Sequence, residues 1–504
     1  MNIFEMRGFI IDEYSDYVRS FLPIADSRVR AFVEARLLEQ PSLWPDALIQ
    51  LNPAYAKGDT VAELAGAGVL HPLCGQVFAR EDGRPIALYQ HQQLAVERVL
   101  QKQHTVVTSG TGSGKSLTYF IPIFDAVLRS DATRPMVHAI VVYPMNALVN
   151  SQEESLRGLA EAYRGRTGRE LPVRFAKYTG QETAEVKANL RQHPPHILLT
   201  NYVMLELMLV RPHEHGFVDR TRTALQFLVL DELHTYRGRQ GADIALLVRR
   251  LRERCGNPGL VCIGTSATMA SGGTRRERRC AIARFATRLF GVPVLEQNVV
   301  EETLRRVIAH SGTPSAGELR QALESPPPEA AWEAFASNPL AAWIEDTFGV
   351  EEEEDGHLRP RKPLSLREGA RQLADLTGMD ESTCIERVRE MLLRASETRT
   401  PEGEPVFPFK LHQFISQGGS VFATLEPPDR RDLTLEEQIY APGVGERLLY
   451  PLVFCRLCGQ EYYTVRRSAQ ESRYLPVAER SLAGIDSEED EGSQAGYLML
   501  DHEG

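Results

Sequence analysis

The sequence predicts an α/β protein organised on a doubly wound parallel sheet. Three observations point there. Short apolar runs recur between about residues 104 and 264, separated by stretches of helical periodicity. These runs end in hydroxyl, glycine or acidic residues, and ligands of doubly wound sheets gather at such carboxyl ends. One run, residues 104–107, passes through Thr108-Ser109-Gly110-Thr111-Gly112-Ser113-Gly114-Lys115-Ser116 into residues 117–128, which are apolar at helical spacing.

Taken in order, residues 1–85 predict a small accessory region. Within it 29–38 reads as a helix, Pro41, Pro45 and Pro53 break the pattern, and 55–70 reads as a second helix. Leu88-Tyr89-Gln90-His91-Gln92 opens the next segment and leads into a helix through Leu100. Residues 139–143 are continuously apolar and end at Pro144, as a strand buried on both faces does, and a helix starts over 144–152. Further strands are expected at 173–177, 196–199, 225–230 and 260–264. They end in Tyr178-Thr179-Gly180, Thr200-Asn201, Asp231-Glu232-Leu233-His234 and Ser266-Ala267-Thr268. Alternation of strand and helix is the mark of a parallel sheet with helices on both faces.

Past about residue 294 the rhythm stops. Short helices are expected at 303–308, 318–323, 330–335 and 340–348, and longer ones at 367–376 and 381–393. Residues 407–425 and 448–465 alternate like strands. The domain map is an accessory region at 1–85, an α/β domain at 86–294, a helical insertion at 295–405, a mixed β region with a Cys-x-x-Cys pair at 406–480, and an acidic tail at 481–504.

A hydrophobic content of 42% and a charged content of 25% are ordinary for a globular chain of this length, which has room for several domains. No apolar run is long enough to span a bilayer, and residues 1–14 lack the order of a signal peptide. A cytoplasmic protein is expected. Seven scattered cysteines suit a reducing compartment better than a disulfide framework. The net charge of -11 argues against a basic coat but not against a nucleic-acid groove, since acids cluster at 351–355 and 487–491.

The glycine-rich turn predicts phosphate binding. Small residues let backbone N–H groups face a phosphate chain, and the helix start adds its unpaired N–H groups and dipole. Residues Ser109 to Ser116, with Gly110, Thr111, Gly112, Ser113, Gly114 and Lys115 between them, line that turn. Lys115 can reach the β- and γ-phosphates and Ser116 can hold Mg²⁺. The usual pattern has glycine where this chain has Ser109. An amide shortly before such a loop can pair with both edges of adenine, which makes Gln92 a candidate base reader. Asp231-Glu232 closes an apolar strand. Asp231 suits the Mg²⁺ of a nucleotide, and Glu232 suits orientation and deprotonation of an attacking water. Ser266 and Thr268 offer hydroxyls at another strand end, able to link the nucleotide site to the opposite face by hydrogen bonds.

In order, residues 88–92, 109–116, 144–152, Thr200-Asn201, 231–234 and 266–268 resemble the Q motif and motifs I, Ia, Ib, II and III of superfamily 2 DEAD/DEAH-box helicases. The resemblance covers roughly residues 88–293. The acidic motif reads DELH, and its extension Thr235-Tyr236-Arg237-Gly238 resembles the Lhr/YprA-like group of DNA helicases, some of which belong to phage-defence systems such as Druantia. Residues 411–415 and 454–463 also look like long helicases of that kind. The resemblance implies a RecA-like domain that binds ATP and Mg²⁺, with Lys115, Asp231 and Glu232 in hydrolysis and His234, Ser266 and Thr268 in coupling. It implies backbone contacts to nucleic acid, DNA before RNA, near Asn146, Thr179, Thr200 and Asn201. The rival readings are an RNA helicase and a nucleic-acid-binding subunit with weak ATPase.

Helicases of this superfamily close ATP between two RecA-like domains, the second supplying arginine fingers. No second set of alternating strands follows Thr268, so a partner chain or a further segment is expected to supply it. Arg164-Gly165-Arg166-Thr167-Gly168-Arg169 resembles the family's arginine motif but lies inside the first domain, and is read as a basic loop. Cys455 and Cys458 form half of a Zn²⁺ knuckle, with His412 a distant third candidate. Buried thiols that bind nothing are the reading preferred there, with Zn²⁺ the alternative. Cys255, Cys262 and Cys280 are expected to pack in the α/β core.

Overall fold

The computed structural model describes all residues except 21–22, 37–43, 111, 213, 215–223, 268–271, 310–311, 327, 416–419, 444–446, 469–473, 477–492 and 501–504. The chain divides into two compact units. One comprises Ala54–Arg305 with Glu353–Leu358; the other comprises Met1–Pro53, Arg306–Glu352 and Arg359–Gly504.

The first unit is built on seven strands, β1 (Thr105–Thr108), β2 (Ala139–Tyr143), β3 (Phe175–Lys177), β4 (Ile197–Asn201), β5 (Phe227–Leu230), β6 (Val261–Ser266) and β7 (Val299–Glu301). They lie in the order β7-β1-β6-β5-β2-β4-β3, every neighbouring pair parallel. Helix α1 (Gln90–Leu100) precedes β1, and α2 (Leu117–Arg129), α3 (Asn146–Thr167), α4 (Ala184–Gln192), α5 (Tyr202–Val210), α6 (Gly238–Cys255) and α7 (Arg275–Phe290) run between the strands. Continuous apolar strands need cover on both faces. Ile140, Val142, Leu198, Leu228, Leu230 and Cys262 join one core layer, packed with side chains of α5, α6 and α7. Val141, Tyr143, Ile197, Leu199, Phe227, Val229 and Ile263 join the other, packed with α1, α2 and α3. The period-2 split of neighbours onto opposite layers is the strand geometry itself.

Two boundaries differ from the sequence reading. The compact unit starts at Ala54, not at 86, and its sheet gains β7 beyond 294. Residues 55–70 are not one helix. Ala54–Tyr55 pairs with Leu304–Arg305, Lys57–Thr60 pairs with Ala87–Tyr89, and the helix begins only at Val61. Thr60 explains the late start: its hydroxyl caps Glu63 N–H while the Glu63 carboxylate bonds back to Thr60 N–H. The 303–308 stretch, expected to be helical, is in part the Leu304–Arg305 strand for the same pairing reason.

The second unit holds a three-stranded antiparallel sheet of Leu364–Ser365, Leu48–Leu51 and Phe409–His412. Around it Ile49, Leu51 and Phe407 share a core with the helices Ala316–Glu324, Trp332–Ala336, Pro339–Ile344, Leu366–Thr377 and Glu381–Glu397. A six-stranded antiparallel sheet runs through Val421–Ala423, Tyr450–Phe454 and Glu461–Ser468. Its last strand, Ser493–Leu498, pairs with Glu461–Ser468, so part of the expected acidic tail is sheet. The acidic run at 487–491 lies outside the described residues. Ile3–Ser20 is a long helix that the sequence reading passed over. Among the described residues no helix is long and apolar enough to cross a membrane.

Candidate active site

Strand order assembles the site. β6 lies between β1 and β5, so the carboxyl ends of all three strands are neighbours. The loop after β1 carries Lys115, the residues after β5 are Asp231 and Glu232, and β6 ends in Thr265 and Ser266.

The loop is held from beneath. Gly112 and Gly114 have φ of +82° and +69°, which L side chains rarely adopt. A Cβ on Gly114 would lie 2.9 Å from Gln92 Nε2. Ser109, where a glycine is usual, bonds across the loop: its Oγ lies 2.6 Å from Ser113 Oγ, both residues buried. Lys115 Nζ donates to Ser109 O at 3.0 Å and Gly110 O at 3.2 Å. Ser116 leads into α2, and its side chain makes no capping bond to that helix. Thr111 lies outside the described residues.

Gln92 is placed differently from the sequence expectation. The residue is buried, its Nε2 donates to Ser113 O at 2.8 Å and Gly114 O at 3.1 Å, and its Oε1 accepts from Tyr89 N–H at 2.9 Å. Both amide hydrogens are engaged by the phosphate loop, so pairing with both edges of a base is not open to this arrangement. The side chain instead ties α1 to the loop.

At the acidic motif the backbone is strained. Glu232 has φ +54° and ψ 54°, a left-handed conformation uncommon outside glycine. Thr265, which the sequence reading did not single out, spans the pair. Its hydroxyl donates to Asp231 Oδ1 and accepts from Glu232 N–H at 3.3 Å. Beside it, Gly264 leaves room for Leu233 of the same motif, since a Cβ there would sit 2.4 Å from Leu233 Cδ1. Burial pushes the Asp231 carboxyl up to about 6, while the Thr265 hydroxyl and the Lys115 ammonium act the other way. That opposing influence of Lys115 reflects the meeting of loop and strand end. His234 Nδ1 lies 3.2 Å from Ser266 Oγ and 3.2 Å from Glu232 Oε2. Only the Ser266 contact has hydrogen-bond geometry, and Glu232 Oε2 is buried without a hydrogen-bond partner. Thr268 lies outside the described residues.

The donor set suits a magnesium nucleotide. A turn lined by backbone N–H groups, an ammonium, an uncapped hydroxyl at a helix start and a buried carboxylate face one region, with a second carboxylate oxygen that has no hydrogen-bond partner beside them.

The four residues expected at a nucleic-acid backbone divide. Asn201 Nδ2 donates to Asn146 Oδ1 at 2.6 Å, and both side chains are half-buried. Asn201 also caps α5, accepting from Met204 N–H at 2.7 Å. Thr179 and Thr200 are fully buried. Thr200 Oγ1 donates to Tyr178 O at 2.6 Å, and Thr179 Oγ1 accepts from Gln181 N–H at 3.2 Å. The Thr200 hydroxyl ties the end of β4 to the residue after β3, and the Thr179 hydroxyl bonds within the loop that follows β3. Arg166, expected in a basic loop, lies in the last turn of α3 and donates to Arg80 O and Gln76 O at 2.9 and 2.8 Å, bracing the unit's own backbone.

Among the described residues no three His, Cys, Asp or Glu side chains gather to hold a metal ion. Cys455 and Cys458 share a tight turn in which Gly459 N–H bonds to Cys455 O at 2.8 Å. His412, the distant candidate, pairs with Gln50 Oε1 at 2.8 Å. Cys255 and Cys262 are buried in the α/β core, and Cys280 is half-buried.

A family model for the DEAD/DEAH box helicase matches residues 89–275, which contain the loop, the acidic motif and Thr265-Ser266. The chain carries a DEAD/DEAH box helicase domain. Druantia protein DruE of Escherichia coli is 28% identical to it over 363 residues, 51% of this chain and 20% of that protein. The ATP-dependent helicase Lhr-Core of Methanothermobacter thermautotrophicus is 30% identical over 208 residues, 40% of this chain and 23% of that protein. The crystal structure of the DUF1998 helicase MrfA bound to DNA aligns with a TM-score of 0.40 at 20% identity, over 56% of this chain and 36% of that one. The chain thus spans about a fifth of the length of these curated relatives. Strand β7 and Glu302 lie beyond the matched residues of the helicase domain.

Proposed function

We propose that the chain binds ATP with Mg²⁺, hydrolyses it, and uses it to move along nucleic acid, DNA in preference to RNA, in the cytoplasm. The observation that carries this reading is the meeting of the Lys115 loop, Asp231-Glu232 and Thr265-Ser266 at three adjacent strand ends. Loop N–H groups and Lys115 hold the β- and γ-phosphates. Ser116 and Asp231 hold Mg²⁺, which neutralises charge on the phosphates when bound. Glu232 orients a water and takes its proton. His234 and Ser266 relay the state of that site, because their bond joins the ends of β5 and β6. Asn146 and Asn201 stand at the carboxyl edge where a sugar-phosphate backbone can be gripped. The name of one relative, ATP-dependent helicase Lhr-Core, supports an ATP-driven helicase, and the resemblance of residues 231–238 to the Lhr/YprA-like group of DNA helicases supports DNA as its track.

Among the described residues one parallel sheet carries these motifs. The reading therefore includes a second RecA-like domain, from a further segment or a partner chain, to close on the nucleotide. Missing arginine fingers cost on the order of 10³ to 10⁵ in rate in related NTPases. The chain by itself accordingly hydrolyses ATP slowly and does not unwind duplex. A partner also suits the reading of the chain as a nucleic-acid-binding subunit with weak ATPase.

The test is ATP turnover by the chain with single-stranded DNA, with single-stranded RNA and without either, beside Lys115→Ala. Stimulation by DNA, lost in Lys115→Ala together with ATP binding, is expected. Tight ATP binding by Lys115→Ala in calorimetry would remove the central assignment, and stimulation by RNA alone would reverse the choice of strand.

A further inference from the structure

Glu302 follows β7 and has no part in the site described above. It is buried, and its backbone N–H donates to Thr108 O at 3.2 Å, at the end of β1. Its side chain turns into the phosphate loop: Oε2 accepts from Gly110 N–H at 3.0 Å. The hydroxyl of Tyr55 lies beside the same carboxylate, a Cβ on Gly110 being 3.6 Å from Tyr55 Oη and 3.7 Å from Glu302 Oε2. Burial pushes the carboxyl up, and the nearby Lys115 ammonium and the Gly110 N–H pull against that. A carboxylate thus rests on a backbone donor of the loop and within the field of its lysine, the two kinds of group that a phosphate chain uses.

We propose that Glu302 competes with nucleotide phosphate for the phosphate loop, so that this carboxylate sets nucleotide affinity and ties it to the segment leaving the sheet. The inference rests on the nucleotide-site reading above and adds its regulation. A phosphate entering the loop meets a like charge beside Lys115, and full engagement of Gly110 N–H requires the carboxylate to leave. When it leaves, Glu302 and Tyr55 lose their shared contact. Tyr55 sits in the short strand paired with Leu304–Arg305. Nucleotide occupancy is therefore expected to loosen the end of β7 and the residues that follow it.

The test is calorimetric binding of MgADP to the full chain and to Glu302→Gln, with hydrogen exchange on the full chain as the second measurement. Glutamine keeps the shape and removes the charge. MgADP is expected to bind Glu302→Gln roughly tenfold more tightly, about 1.4 kcal/mol. Saturating MgADP is expected to speed amide exchange over residues 299–305 of the unsubstituted chain. Unchanged or weaker binding by a folded Glu302→Gln overturns the inference, as does unchanged or slower exchange over 299–305. If MgADP binds neither protein, the nucleotide-site reading fails, and this inference fails with it.

Discussion

Replacing Thr265 by valine keeps the volume of a fully buried side chain and removes one hydroxyl. That hydroxyl is the donor to Asp231 Oδ1 and the acceptor for Glu232 N–H. Its loss strands two buried polar groups, one of them a carboxylate, at about 1–3 kcal/mol each where no water replaces the partner. A net destabilisation of about 3 kcal/mol corresponds to a fall of roughly 6–12 °C in melting temperature for a unit of this size. The loss should depend on pH, and the sign can be worked out. The Asp231 carboxyl sits at about 6 in the folded protein, above its ordinary 3.8. Its contribution to stability is therefore complete below the ordinary value and is lost as pH rises through about 6. Thr265 lowers that folded value, so its removal raises it further. The penalty of Thr265→Val should be smaller at pH 5, where the buried carboxyl is already largely protonated and the stranded Glu232 N–H is the main cost, than at pH 8, where both losses count. Thermal melts of both proteins at the two pH values measure it. Equal differences in melting temperature at pH 5 and pH 8 would refute the argument that Thr265 supports the charged form of Asp231. With Glu232 no longer anchored in its left-handed conformation, ATP turnover should also drop, by about tenfold or more.

Three further outcomes are expected. Affinity for Mg·ADP should fall by about tenfold per pH unit below pH 6, because one proton competes with the metal at Asp231; calorimetry at pH 5, 6 and 7 reads this, and a flat profile would count against Asp231 as a ligand. Gln92→Ala should destabilise the fold by about 2–4 kcal/mol, because it leaves Tyr89 N–H, Ser113 O and Gly114 O without their partner; an unchanged melting temperature with weakened ATP binding would restore the base-reading role. Glu232→Gln should retain ATP binding and lose hydrolysis, since the amide cannot accept the water's proton; a parental rate of turnover would exclude Glu232 as the base.

Much of the helicase domain can be read from local sequence. Apolar runs such as 139–143 are buried throughout, and a short continuous run closed by Pro144 is the pattern of an interior strand. A glycine-rich turn between such a run and a helix, and Asp231-Glu232 at the end of another, follow from spacing along the chain. Where the reading erred, the missing information was pairing. Residues 55–60 carry no strong period, and it is the pairing with Leu304–Arg305 and Ala87–Tyr89 that makes strands of them.

Strand order is the decision that tertiary structure made. Sequence places Thr265 34 residues after Asp231 and Glu302 192 residues after Gly110. Only the insertion of β6 between β1 and β5, and the return of β7 to the edge beside β1, puts each pair in hydrogen-bond contact. The same holds for Gln92, whose amide is an adenine reader by sequence logic and a brace of the phosphate loop by contact. Thr179 and Thr200 look like exposed hydroxyls at strand ends, yet side-by-side packing of β3 and β4 buries both. Composition and periodicity report how a residue relates to solvent and to its own element. Which strand lies beside which depends on how all the core faces are covered at once, and that sum over the whole unit is written in no single stretch of the chain.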